Sequence, residues 1–204
     1  MRTAGSEASP RRQQILEALA RELEQAPGQR ITTAALARSV GVSEAALYRH
    51  FPSKARMFEG LLEFAEEAVF GRVARILEET GSAPRRCEHV LALVLAFAER
   101  NPGITRILLG DALVGETPRL RARVEQFFRR LETQLKQVLR EGELHGEIPR
   151  GRSPSAVSGL LVAVIAGRLA RYVQSGFAES PTADWEAQWA LLATGLLGGA
   201  DPDA

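Results

Sequence analysis

A chain of 204 residues, 45% hydrophobic and 25% charged, has the balance of a folded globular protein, with length for one helical domain or a small domain joined to a larger one. Its longest uncharged apolar stretches, residues 91–98 and 159–167, fall far short of the roughly 18 residues of a membrane span; the polar first 12 residues and the lone Cys87 also argue against secretion, so a cytoplasmic protein is expected. The net charge of +1 divides unevenly: residues 1–56 hold nine Arg or Lys against five Glu, net +4, and the remainder 17 basic against 20 acidic, net −3, a basic head that suits nucleic acid on a mildly acidic body.

Helical periodicity runs through the chain. Ser9 and Pro10 start a first helix, in which Ile15, Leu16, Leu19, Ala20 and Leu23 recur at helical spacing until Pro27-Gly28. Short second and third helices are predicted at 33–39 and 43–50. Pro52-Ser53 restarts a long fourth helix, where Met57, Phe58, Leu61, Leu62, Phe64, Ala65, Val69, Val73, Ile76 and Leu77 stay on period until Gly81. Five more helices are predicted at 84–100, 104–109, 118–141, 154–175 and 182–197, with helix-starting pairs at Thr117-Pro118 and Ser153-Pro154. Residues 1–7, 142–152 and 198–204 read as tails or a mobile loop. No run alternates at period two for long enough to be a strand. The expected fold class is all-α, with about nine helices.

The informative segment is 31–54. Two short helices meet at Gly41-Val42, where glycine can take the conformation of a sharp turn, and Ser43 caps the second of them. This is the spacing of a helix-turn-helix. Leu36, Ala37 and Val40 are expected to pack on Val42 and Leu47, with Ala37 small because the helices cross closely. Ser43, Glu44, Ala45 and Ala46 are short enough for the start of the third helix to enter a major groove and meet base edges. Tyr48, Arg49, His50 and Lys54 supply phosphate donors, and Thr32 and Thr33 offer hydroxyls and helix N-terminal amides. The other reading of the pattern is a tight helical hairpin with no DNA role.

The run Val42-Ser-Glu-Ala-Ala-Leu-Tyr-Arg-His-Phe-Pro-Ser-Lys-Ala-Arg-Met-Phe58 resembles the DNA-binding head of the TetR family, in which a three-helix head precedes a larger helical body that dimerises. Arg30-Ile-Thr-Thr33, the run from Ser39 to Lys54, Arg56-Met-Phe58 and the body motif Glu99-Arg-Asn-Pro-Gly-Ile-Thr-Arg-Ile-Leu108 further resemble the nucleoid occlusion branch, the SlmA family, with the likeness covering roughly residues 11–197. The resemblance implies a head at 9–54, with Arg30 among its DNA-facing residues, and a dimerisation and partner-binding body at 55–197. It implies a homodimer on palindromic double-stranded DNA, associated with the nucleoid, that inhibits assembly of the tubulin-like division protein FtsZ. Phe64, Arg72, Leu93, Arg100 and Asn101 match the positions of the division-protein surface, and their chemistry suits one; their other reading is two core residues and two solvated arginines. Ser155, Gly159, Ala163 and Gly167 recur every four residues as a ridge of small side chains, flanked by Leu160, Leu161, Val164 and Ile165. Because the last two helices of TetR proteins form the dimer interface, this ridge is expected against the partner subunit; packing within the chain is the alternative.

The sequence departs from the family pattern at Ala96 and Ala98, where glycines are expected, at Asp111, where a histidine is expected, and over 142–152. His50, His89 and His145 have no ligand spacing, and neither a glycine-rich phosphate loop nor a nucleophile elbow is present, so no metal, cofactor or enzymatic activity is expected. Glu66-Glu67 and Glu78-Glu79 read as solvated helix faces, and Trp185 and Trp189 as one packed stripe. A second function stays open, a TetR-type repressor released from its operator by a small hydrophobic ligand, because a ligand cavity is lined by the same Leu, Val and Phe residues that fill a core.

Overall fold

The computed structural model describes residues 10–26, 29, 31–79 and 81–198. The expected helix stop at Pro27-Gly28, the DNA-facing Arg30 and the tails at 1–7 and 199–204 lie outside the described residues. Among the described residues there are nine α-helices and one turn of 3₁₀ helix. The head comprises α1 (Pro10–Gln25), α2 (Thr33–Val40) and α3 (Glu44–His50). The body comprises α4 (Lys54–Glu79), α5 (Ala83–Arg100), α6 (Pro102–Leu109), the 3₁₀ turn η1 (Asp111–Leu113), α7 (Pro118–His145), α8 (Pro154–Gln174) and α9 (Trp185–Leu197). The all-α class stands, and three boundaries differ from the sequence reading by two residues or more, for identifiable reasons.

First, α6 begins two residues earlier than expected, since Pro102 occupies its first turn, where a missing N–H costs nothing. Second, α7 continues through Gly142 to His145, so the first part of the expected loop at 142–152 is helix. Gly142 does not break the helix because it faces inward: a Cβ there would lie 2.5 Å from Ala83 Cβ and 2.9 Å from Ile148 Cδ1. The helix ends at Gly146, whose φ of 76° is the left-handed value that glycine tolerates. Third, α9 starts at Trp185 and not near Thr182. Arg168 holds the carbonyls of Pro181 and Ala183, and Asp184 takes a φ of 53°, which keeps the preceding segment out of the helix.

The body is a bundle in which α4, α5 and α7 pack on one another, α7 lies along α8, and α1 of the head packs on α6. Cys87 is buried and its thiol is pushed up to about 12 by desolvation, so it stays protonated and unreactive in the core. Trp185 and Trp189 form the expected stripe, with ring centroids 6.0 Å apart.

The joint between head and body is built at backbone level. A Cβ on Gly103 would sit 2.1 Å from the Ala20 carbonyl oxygen, so only glycine lets α6 approach α1 this closely. One turn on, Arg106 is 1% exposed. Its guanidinium donates to the carbonyls of Leu23 (2.7 Å) and Ala26 (2.9 Å) at the end of α1, and to Asp111 Oδ2 (2.9 Å). A cation at a helix C-terminus satisfies orphan carbonyls and opposes the negative end of the helix dipole. Asp111, which departs from the family pattern, is therefore the counterion of this clamp.

Candidate nucleic-acid interface and partner faces

The helix-turn-helix assembles from local rules. Thr32 caps α2 by accepting from the Ala35 amide at 3.2 Å, and Ser43 caps α3 by accepting from the Ala46 amide at 3.2 Å. Each such cap is worth about 1 kcal/mol. Gly41, with φ of 73°, closes α2 while the Val42 amide returns to the Ala37 carbonyl at 3.0 Å, turning the chain sharply into α3. Leu36, Ala37 and Leu47 are buried beneath the turn, with Val40 and Val42 packed at the margin.

Ser43, Glu44, Ala45, Tyr48 and Arg49 are exposed at α3, and Ala46 and His50 are half-buried. Thr33 Oγ1 donates to Glu44 Oε2 at 2.8 Å, and the Tyr48 hydroxyl reaches Thr33 Oγ1 at 3.4 Å, so α2 and α3 share a polar rim. Two further residues belong to this face that sequence reasoning missed. Arg12 donates to the His50 carbonyl at 2.8 Å and lies 4.2 Å over the Phe51 ring, fastening the end of α3 to α1. Arg11 joins Arg49 and His50 around a shallow hollow between α1 and α3. Two adjacent arginines ahead of the apolar stripe were the available signal. Lys54, expected as a phosphate donor, stands apart from the rest, because its ammonium is paired with Glu116 of the body at 2.8 Å.

The partner-face residues fall into two groups. Phe64 is 44% exposed, with its ring 6.3 Å from Phe97 of α5, and it is not a core residue. Phe64 and Asn101 line one groove of about 230 Å³, floored by Leu61 and Ile104 and walled by Gln13, Leu16, Glu17 and Ala20 of α1. The Asn101 side chain donates to the Phe97 carbonyl at 2.8 Å, tying off the end of α5. Arg72 and Arg100 are exposed, but Arg72 is two turns along α4 from Phe64, and Arg100 folds back on the Ala96 carbonyl at 3.0 Å. Leu93 is half-buried against the core. Glu99 was missed: its carboxylate accepts from Thr182 (3.0 and 3.1 Å) and from Ser180, and its carbonyl accepts from Tyr172 (3.1 Å), latching α5 to the α8–α9 segment.

On α8, Ala163 and Gly167 are exposed and Gly159 half-exposed, and a Cβ added at Gly167 would meet nothing within 4 Å. The small-residue ridge thus touches the chain at Gly159, where a Cβ would lie 3.7 Å from Glu132 Oε1 of α7, and is open at Ala163 and Gly167. Two of its expected flanks are corrected: Leu161 and Ile165 are fully buried in their own core, whereas Leu160 (46% exposed) and, on α9, Leu191 (76%) face outward. By length and composition α8 could cross a membrane, with mean hydropathy 1.6 over its most apolar stretch, of which 33% is buried. Arg168 interrupts the helix, so its uncharged run in the sequence is too short to show this. Among the described residues, no group of three or more His, Cys, Asp or Glu could hold a metal ion.

Comparison with known proteins gives this arrangement a lineage. Residues 15–61 match the model of bacterial regulatory proteins of the tetR family, and residues 82–197 match the SlmA-like model, described as a tetracyclin repressor-like C-terminal domain. A solved TetR transcription regulator from Haloarcula marismortui superposes with a TM-score of 0.76 over 93% of this chain and 99% of that one, at 21% identity, which supports the fold alone. The nucleoid occlusion factor SlmA of Marinomonas sp. is 54% identical over 187 residues, covering 92% of this chain and 95% of the relative. That of Alteromonas mediterranea is 56% identical over 182 residues, covering 89% and 93%. With the head, the joint and the body all matched at this level, the chain belongs to the SlmA family of nucleoid occlusion factors, built on the TetR fold.

Proposed function

We propose that a homodimer of this chain binds palindromic DNA through its heads, stays on the nucleoid, and from there inhibits assembly of FtsZ, so that no septum forms over the chromosome. The observation that carries this reading is identity above 50% to nucleoid occlusion factors along nine-tenths of both chains. In this reading residues 9–54 hold the DNA, with Thr32, Thr33, Tyr48, Arg49, His50 and Lys54 toward phosphates and Ser43 to Ala46 toward bases. Residues 55–197 dimerise and hold FtsZ, with Phe64 and Asn101 at the groove and Arg72 and Arg100 offering charge to an acidic segment. The ridge of Gly159, Ala163 and Gly167, continued by Leu160 and Leu191, meets a second copy. That copy would cover the apolar surplus of α8. The ligand-released repressor is the weaker reading: the grooves of about 470 and 520 Å³ on the body are open to solvent and carry charged side chains, Glu66, Arg119 and Arg123 in one and Arg168, Arg171 and Asp184 in the other, which do not suit a small hydrophobic ligand.

The test is sedimentation of polymerised FtsZ with the protein, with and without its DNA. Inhibition enhanced by DNA is expected. Arg72→Asp and Arg100→Asp should abolish it while leaving folding and DNA binding intact, because both side chains are exposed. Two folded, DNA-binding variants that block FtsZ at wild-type concentrations would instead return the body to a ligand-binding role. For the head, Tyr48→Ala should lower affinity by roughly fivefold to tenfold on matched and unrelated duplexes alike, the value of one uncharged hydrogen bond. A fluorescence titration checks this, and an unchanged affinity would misplace the recognition helix.

A further inference from the structure

The foot of α4 carries a contact that an available phosphate donor does not make. Lys54 Nζ lies 2.8 Å from Glu116 Oε1, with the two side chains 19% and 10% exposed, and the ammonium also sits 5.3 Å over the Phe58 ring. Glu116 does not belong to the head. It lies in the loop between η1 and α7, where its amide donates to the Leu113 carbonyl at 3.0 Å and Leu113 itself is buried, so the carboxylate is held in place by the body. The 3₁₀ turn that precedes this loop is held at Asp111 by Arg106, and through Arg106 to the end of α1.

A lysine in a direct ion pair presents little net charge to an approaching polyanion. If Lys54 takes a phosphate without leaving Glu116, two anions share one ammonium at close range and repel. If it swings away, a carboxylate that is nine-tenths buried is left unpaired. Either path costs DNA affinity, and neither arises once the carboxylate is neutral. We infer that Glu116 competes with the DNA backbone for Lys54 and so sets the affinity of the head, a body residue limiting how tightly the protein holds DNA. This rests on the reading of the head as a DNA-binding element.

Glu116→Gln is the variant to make, since it keeps the shape and can still accept a hydrogen bond from Lys54. The probe is a fluorescein-labelled duplex of 30 base pairs of random sequence, titrated at several salt concentrations, because phosphate contacts do not require a matched site. The variant should bind about fivefold to tenfold more tightly near 0.1 M salt, and the slope of log K against log salt should steepen by about one, as expected for one additional phosphate contact. In a Lys54→Ala background the same substitution should change affinity by less than about twofold, because the competition has lost its object. Unchanged or weakened binding by Glu116→Gln would overturn the inference and make the pair a pin that only orients α4. An equal gain in both backgrounds would overturn it too, reducing Glu116 to a general negative charge. Wild-type protein with no salt-dependent binding to the duplex would remove the DNA reading of the head, and this inference with it.

Discussion

Arg106→Met should lower the melting temperature by about 10 °C. The guanidinium is almost fully buried and donates to the Leu23 and Ala26 carbonyls, while Asp111 is its carboxylate partner. Methionine fills similar volume but donates nothing, so the buried Leu23 carbonyl loses its donor, at about 1–3 kcal/mol, the Ala26 carbonyl keeps only the Gln29 amide, and Asp111 loses its cation. A loss of about 3 kcal/mol corresponds to roughly 10 °C in a chain of this size. The effect falls on the joint, because α6 cannot back away from α1 without opening the seam at Gly103. A thermal melt followed by circular dichroism measures it. A melting temperature within about 2 °C of wild type would mean that water replaces the guanidinium and that the clamp is not what fastens the head.

Ala163→Arg should convert the proposed dimer to a folded monomer. The position is exposed on a ridge of small residues, so the chain alone has room for the arginine, but a second copy packed on that ridge does not. Placing a charge in such a seam without a partner is strongly unfavourable. Sedimentation velocity reads the change directly. Binding to a palindromic site should weaken by about 10²- to 10⁴-fold, since the second head no longer arrives at high effective concentration. A soluble Ala163→Arg protein that still sediments as a dimer would move the interface elsewhere.

The parts of this fold that were legible in the sequence are those governed by neighbours along the chain. The helix-turn-helix is the clearest example. Its cap at Ser43, its left-handed turn at Gly41 and the apolar spacing of Leu36, Ala37 and Leu47 are all set within a few residues, and all appear in the structure. The existence of the nine helices among the described residues was legible for the same reason, as amphipathic periodicity is a local property. The family, too, was carried by contiguous motifs.

What the sequence could not specify depends on which residues meet across the bundle. Gly142 reads as a helix breaker, yet α7 runs through it because Ala83 and Ile148 fill the space where a side chain would be. Leu160 and Leu161 are the same residue type side by side, and only the position of the bundle decides that one is buried and the other faces outward. Lys54 resembles any basic residue beside a DNA-reading helix until Glu116, 62 positions away, is found against it. Arg106 lies on a short, otherwise apolar helix and would be assigned to solvent by type. Its burial follows from the carbonyls at the end of α1: that of Leu23 takes its donor from Arg106, and that of Ala26 from Arg106 as well as from the nearby Gln29 amide. Local propensity and spacing thus determined the helices and the family, whereas the joint, the uncovered α8 face and the ion pairing of Lys54 were decided by long-range packing, where the chemistry of one residue depends on a partner whose distance along the chain carries no signal.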